Sequence, residues 1–120
     1  MHLKLDEQEN GIFKISVHGR VSQTAVEDCA TQLPQLIGPD NLGSKILLSL
    51  HGAEQIDSSG IGWLLSMDKQ VRQAGGELII HSVPLEIQHV FNLMKLGKVL
   101  KIAKDARAAT QMIQTGETHG

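Results

Sequence analysis

KILLSLHGAEQIDSSGIGWLLSMDKQVRQAGGELIIHSV, residues 45–83, holds two apolar runs with a segment of helical spacing between them. KILLSL (45–50) and ELIIHS (77–82) are nearly continuous in large aliphatics, the composition of strands buried on both faces of a parallel sheet. Between them Ile61, Leu64, Leu65, Met67 and Val71 recur at helical intervals up to about Ala74. Gly75-Gly76 then ends the helix, because glycine tolerates the left-handed conformation at a helix C-terminus. HGAEQ (51–55) reads as the link into IDSSGIG (56–62), where strand gives way to helix. The stretch predicts a β-α-β unit.

Working outward, HLKLDE (2–7) and GIFKISVH (11–18) alternate around ENG, a hairpin turn signal. Ile12, Phe13, Ile15 and Val17 supply the apolar side of the second strand. From about Ser22 to Ile37 the spacing turns helical through Val26, Cys29, Ala30 and Leu33, with Pro34 expected to kink or end that helix early. GPDNLGS reads as a loop. After the second buried strand, Pro84 at a first helical position opens a helix through about Met94. Its stripe of Ile87, Val90, Phe91 and Met94 is core rather than a ligand box. KVLKIA (98–103) reads as a short strand, and DARAATQMIQ (105–114) as a last helix with Asp105 as its N-cap. The order β-β-α-β-α-β-α-β-α predicts an α/β fold: a mostly parallel central sheet, an N-terminal antiparallel hairpin and about four helices.

At 120 residues there is room for one domain with a real core. We expect it to span residues 1–115, with TGETHG trailing into a flexible tail over 116–120. The formal charge is −2 with both signs mixed, so no basic footprint for nucleic acid stands out. Two Phe, one Trp and no Tyr leave nothing from which to build a stacking platform for single strands. Cys29 has no disulfide partner, MHLKLDEQEN is too polar and acidic for a signal peptide, and no apolar run reaches membrane-span length. The expectation is a cytoplasmic protein with no membrane or nucleic-acid partner. Six histidines lie at positions 2, 18, 51, 81, 89 and 119 without metal-binding spacing. They read as isolated surface residues, with His51 and His81 candidates for spatial neighbours. Asp6, Glu7 and Glu9 read as a solvated turn. No metal or cofactor is implied.

The chemistry concentrates at Asp57-Ser58-Ser59-Gly60. A strand end followed by a helix start is where α/β folds usually place function, and the unpaired N–H groups there favour negative charge. A serine at such a place is first of all a good N-cap. The stretch lacks both the first glycine and the lysine of a phosphate-binding GxxxxGK[ST] loop. It is not a G-x-S-x-G nucleophile elbow either, since Ile56 and Asp57 stand two residues before the two serines. A serine that accepts a phosphoryl group fits better. It would gain nearly two negative charges where the backbone tolerates them, and Gly60 and Gly62 would let a partner approach closely.

On these motifs the chain resembles the STAS domain family of bacterial anti-sigma factor antagonists. The resemblance rests on the apolar strand, D-S-S-G-I-G, helix, GG and strand of residues 45–83. It continues through VFNLMKLGKVLKIAKDARAAT and, upstream, ISVHGRVS, and covers about residues 5 to 113. It implies that Ser58 is the phosphoacceptor and that Asp57, Ser59, Gly60 and Gly62 flank a docking surface. It further implies a partner-switching cycle. The unphosphorylated protein binds an anti-sigma factor that is also a serine kinase, freeing a sigma factor. That kinase, using ATP and Mg²⁺, phosphorylates Ser58 and the complex dissociates; a PP2C-type phosphatase resets it. The protein itself is then no enzyme, and a monomer or weak dimer is expected.

Three positions depart from the family pattern. Ser22 stands where an Asp is usual, Arg20 where an acid is frequent, and Trp63 where a smaller aliphatic is common. Ser22 and Arg20 border the implied docking surface. Trp63 is either core or an interface anchor, the core being favoured because Trp is mostly buried. The Ser22 and Arg20 departures keep a second expectation open, a non-switching scaffold or accessory subunit of a larger signalling or transport assembly. An enzyme using Asp57 and Ser58 directly is a distant third.

Overall fold

A computed structural model describes residues 2–9, 11–21, 36–41 and 43–115. The helix predicted over 22–37 falls outside these except for its last two residues, and Ser22, Cys29 and the 116–120 tail lie outside them altogether. Five strands form one sheet in the order β1-β2-β3-β4-β5: β1 (His2–Glu9), β2 (Ile12–Val21), β3 (Lys45–Ile56), β4 (Glu77–His81) and β5 (Lys101–Ile102). The β1–β2 pair is antiparallel and every other pair parallel, as the hairpin signal and the apolar runs predict.

Among the described residues three α-helices complete the fold: α1 (Ser58–Gln73), α2 (Leu85–Leu93) and α3 (Ala106–Thr115). The central strands are buried on both faces, which is why their sequences show no polar alternation. Ile46, Leu48, Leu78 and Ile80 face α1 and α2, meeting Leu64, Val71, Ile87 and Phe91 in the main core. Leu47 and Ile79 point the other way, under Ala109 and Ile113 of α3. The α1 helix stops in a Schellman turn. Gly76 N–H donates to Val71 O at 2.8 Å and Gly75 N–H to Arg72 O at 3.0 Å. Gly75 takes φ +89°, the left-handed value that glycine adopts without a steric penalty.

Several boundaries differ from the expectation. HGAEQ is strand rather than link: β2 runs on to Val21, and its tail pairs with Gly52, Ala53, Gln55 and Ile56 across two register shifts. Pro84 is the N-cap of α2 rather than its first residue, and its carbonyl accepts the first helical bond, from Gln88 N–H at 2.8 Å. Met94, placed in the core stripe, is exposed at the helix end. The strand expected over 98–103 shrinks to Lys101–Ile102, because Leu96–Lys98 closes a 3₁₀ turn. That turn sends both Leu96 and Leu100 inward. The last helix keeps its expected cap, with Ala108 N–H donating to Asp105 Oδ1 at 2.8 Å.

Candidate functional site

Parallel β3 delivers the chain to Ile56 at the C-terminal edge of the sheet, and α1 begins two residues later. Asp57 between them is extended (φ −113°, ψ −176°), the backbone an N-cap requires. Its Oδ1 accepts from Gly60 N–H at 2.9 Å, and its carbonyl accepts from Ile61 N–H at 3.0 Å. The cap is therefore the aspartate and not a serine. This correction matters chemically, because the Ser58 hydroxyl is left out of the capping bond and stands exposed at the first helical position. The Ser58 and Ser59 N–H groups have no protein partner among the described residues, so the positive end of the helix dipole opens here to solvent.

The helix sorts its residues cleanly. Gly60, Ile61, Trp63, Leu64 and Met67 turn inward, with Ser59 half-buried. Trp63, at 8 % exposure, belongs to the main core cluster. Outward, at helical intervals, stand Ser58, Gly62 and Leu65. Leu65, expected in the apolar face, is instead 36 % exposed, and a Cβ placed on Gly62 would meet nothing within 4 Å. This outer face is open and small-featured, with one apolar side chain a turn beyond the glycine.

Beside the cap lies a cleft of about 240 Å³, walled by Arg20, Glu54, Asp57 and Glu86 over the apolar Ile87 and Val90. The β2–β3 pairing brings Arg20 here by placing it opposite Gln55. Arg20 is exposed and forms no ion pair with any of the three carboxylates.

Two polar residues are buried where the sequence did not suggest it. Asp68 is buried in the middle of α1, and Arg72 Nε donates to its Oδ2 at 2.8 Å. Its i,i+4 arginine was the legible sign. His81 is not a surface histidine: it is buried at the end of β4, with Nδ1 and Ser82 Oγ 2.8 Å apart. Burial holds its pKa below the ordinary histidine value, against the opposing charge of Asp105, while the charge of Lys14 pushes the same way as burial. His51 is exposed two residues past Ser49, the strand partner of His81. Among the described residues no group of three or more His, Cys, Asp or Glu could hold a metal ion, and no helix is long and apolar enough to cross a membrane.

Residues 5–109 match the family model described as STAS domain. The chain is 25 % identical over 103 residues to the anti-sigma F factor antagonist of Paenibacillus polymyxa, covering 85 % of this chain and 87 % of that one. Among solved structures, it resembles an anti-sigma factor antagonist from Mycobacterium paratuberculosis with a TM-score of 0.77 at 13 % identity, covering 94 % of this chain and 95 % of the other. It also resembles the phosphorylated form of the Bacillus cell fate determinant SpoIIAA, with a TM-score of 0.65 at 20 % identity over 92 % of this chain and 99 % of that one.

Proposed function

The chain belongs to the STAS domain family, and from that premise we propose that it is an anti-sigma factor antagonist switched by phosphorylation of Ser58. The relative in Paenibacillus polymyxa is named for that activity, and SpoIIAA has been solved in a phosphorylated form. The observation that carries the reading is the cap. With Asp57 serving Gly60 N–H, the Ser58 hydroxyl is exposed and uncommitted at the start of α1.

The domain, assigned to residues 1–115, acts as a binding module and not as a catalyst. Unphosphorylated, it docks an anti-sigma factor that is also a serine kinase, using Asp57, Ser58, Ser59 and Gly62 with Arg20 and Ser22 at the margin, while the inward-turned Gly60 contributes through its N–H bond to Asp57. Trp63 supports this surface from beneath by packing α1 onto the sheet. The bound kinase transfers the γ-phosphoryl group of ATP to Ser58 Oγ. An O–P bond forms there, the bond to the leaving ADP breaks, and the hydroxyl proton departs. The product carries nearly two added charges. The helix dipole tolerates them, so the fold persists, while the partner that fitted a neutral serine meets a bulky dianion. Hydrolysis by a PP2C-type phosphatase restores the binding form.

The test is phosphopeptide mapping after incubation with ATP, Mg²⁺ and lysate of the native host, alongside Ser58→Ala. Label on Ser58 that vanishes in the variant is the expected result. No label from a lysate with active kinases would overturn the switch and favour a non-switching scaffold, for which the Ser22 and Arg20 departures are the motivating observation.

A further inference from the structure

Among the described residues Arg20 is a charged group with no ion-pair partner. It shares a cleft with Glu54, Asp57 and Glu86, yet its guanidinium is bonded to none of them. The last β2–β3 pairs are Arg20 with Gln55 and Val21 with Ile56, so the two strands leave the sheet side by side. Asp57 and Ser58 are the next residues of β3's chain. Ser58 itself is not a wall residue but directly follows Asp57, which is, so a phosphoryl group on it sits one residue from a wall that carries, among the described residues, three carboxylates and one arginine. The carboxylates repel it. Arg20 is the cation among the described residues of that wall, and a planar guanidinium matches two phosphate oxygens at once, which a lysine does not.

We propose that Arg20 is an internal receptor for the phosphoryl group on Ser58, closing over it as a latch that exists only in the modified protein. The proposal rests on the reading of Ser58 as phosphoacceptor. It adds what the phosphate does once attached: besides repelling the partner, it draws Arg20 from solvent into a bidentate ion pair across the docking surface. The modified and unmodified surfaces then differ in the placing of a positive charge as well as in an added negative one.

Phosphoserine is installed at position 58 of the full chain by codon expansion, so no kinase is needed. The second phosphate pKa is then followed by ³¹P NMR at low salt. With Arg20 engaged it falls below the free phosphoserine value near 6 by about half a unit or more. In Arg20→Gln the pKa rises relative to the parent, because Glu54, Asp57 and Glu86 remain while the guanidinium that offsets them is gone. Arg20→Lys lies between the two, keeping the charge but losing the fork. The Arg20 Nε–H resonance of the unsubstituted chain supplies a reading that needs no variant, and it shifts on phosphorylation. Equal pKa values in the parent and Arg20→Gln, or an Nε–H resonance indifferent to phosphate, would overturn the latch. Failure of host kinases to label Ser58 would instead sink the acceptor reading, and it leaves these titrations interpretable on their own.

Discussion

Asp57 Oδ1 accepts a hydrogen bond from Gly60 N–H at 2.9 Å, so the acid of the Asp-Ser-Ser-Gly run holds the helix start and its neighbour serine does not. This division of labour explains why two good capping residues stand in succession. An Asp57→Ala change removes the cap and lowers stability by about 1 kcal/mol in urea unfolding. Asp57→Asn keeps the geometry and stays close to the parent, since Asn caps about as well as Asp. An Asp57→Asn chain as unstable as Asp57→Ala would show that the carboxylate's charge, rather than the bond, stabilises α1.

Gly62 separates stability from binding. It sits exposed within α1, in ordinary helical conformation, with open space where a Cβ would go. Glycine in a helix interior is unfavourable by roughly 0.5–1 kcal/mol relative to alanine. Gly62→Ala therefore raises the urea midpoint by a corresponding amount. If a partner's backbone packs on this face, the same methyl weakens docking of the anti-sigma partner, read as a faster off-rate by surface plasmon resonance. A more stable protein that binds undiminished would remove Gly62 from the interface.

Much of this molecule was legible because its signals were local. β3 and β4 announced themselves through KILLSL and ELII, since burial on both faces leaves no polar alternation to confuse the pattern. The Gly75 turn and the Asp105 cap were equally plain. What failed depended on neighbours distant in sequence. HGAEQ became strand because the tail of β2 lay alongside it. KVLKIA alternates like a strand, yet Leu96 and Leu100, four residues apart, were both drawn into the core by a turn. At the site, the run DSSG pointed to the right place. Sequence preference alone does not distinguish Asp57 from Ser58 as the cap, because the two rank alike.

Asp68 and Arg72 make a pair whose halves are unequal. The carboxylate is buried in the helix face that meets the sheet, while the arginine side chain is 58 % exposed. Arg72→Met leaves Asp68 buried without its charged partner, and stability falls by about 1–3 kcal/mol, the range for an unsatisfied buried polar group. The double variant Asp68→Leu/Arg72→Met removes the stranded charge and recovers part of that loss, because a buried ion pair replaced by apolar packing is often neutral. Urea unfolding of the parent, the single variant and the double variant decides it. A double variant less stable than Arg72→Met alone would mean that the Asp68 pocket cannot accept an apolar side chain.

The buried imidazole of His81 gives folding a pH dependence of definite sign. Burial lowers its folded pKa below the ordinary value of 6.5; Asp105 opposes this shift and Lys14 assists it. A depressed histidine binds its proton more readily in the unfolded chain, so protonation favours unfolding. Its contribution is fully present above pH 6.5, declines as pH falls through that value, and is exhausted below the folded pKa. Stability from urea curves therefore drops between pH 7.5 and 5, a window that begins above the ordinary range of carboxylates. His81→Gln loses that part of the slope, whatever the substitution does to stability at pH 7.5. An unchanged slope in the variant would place the source elsewhere.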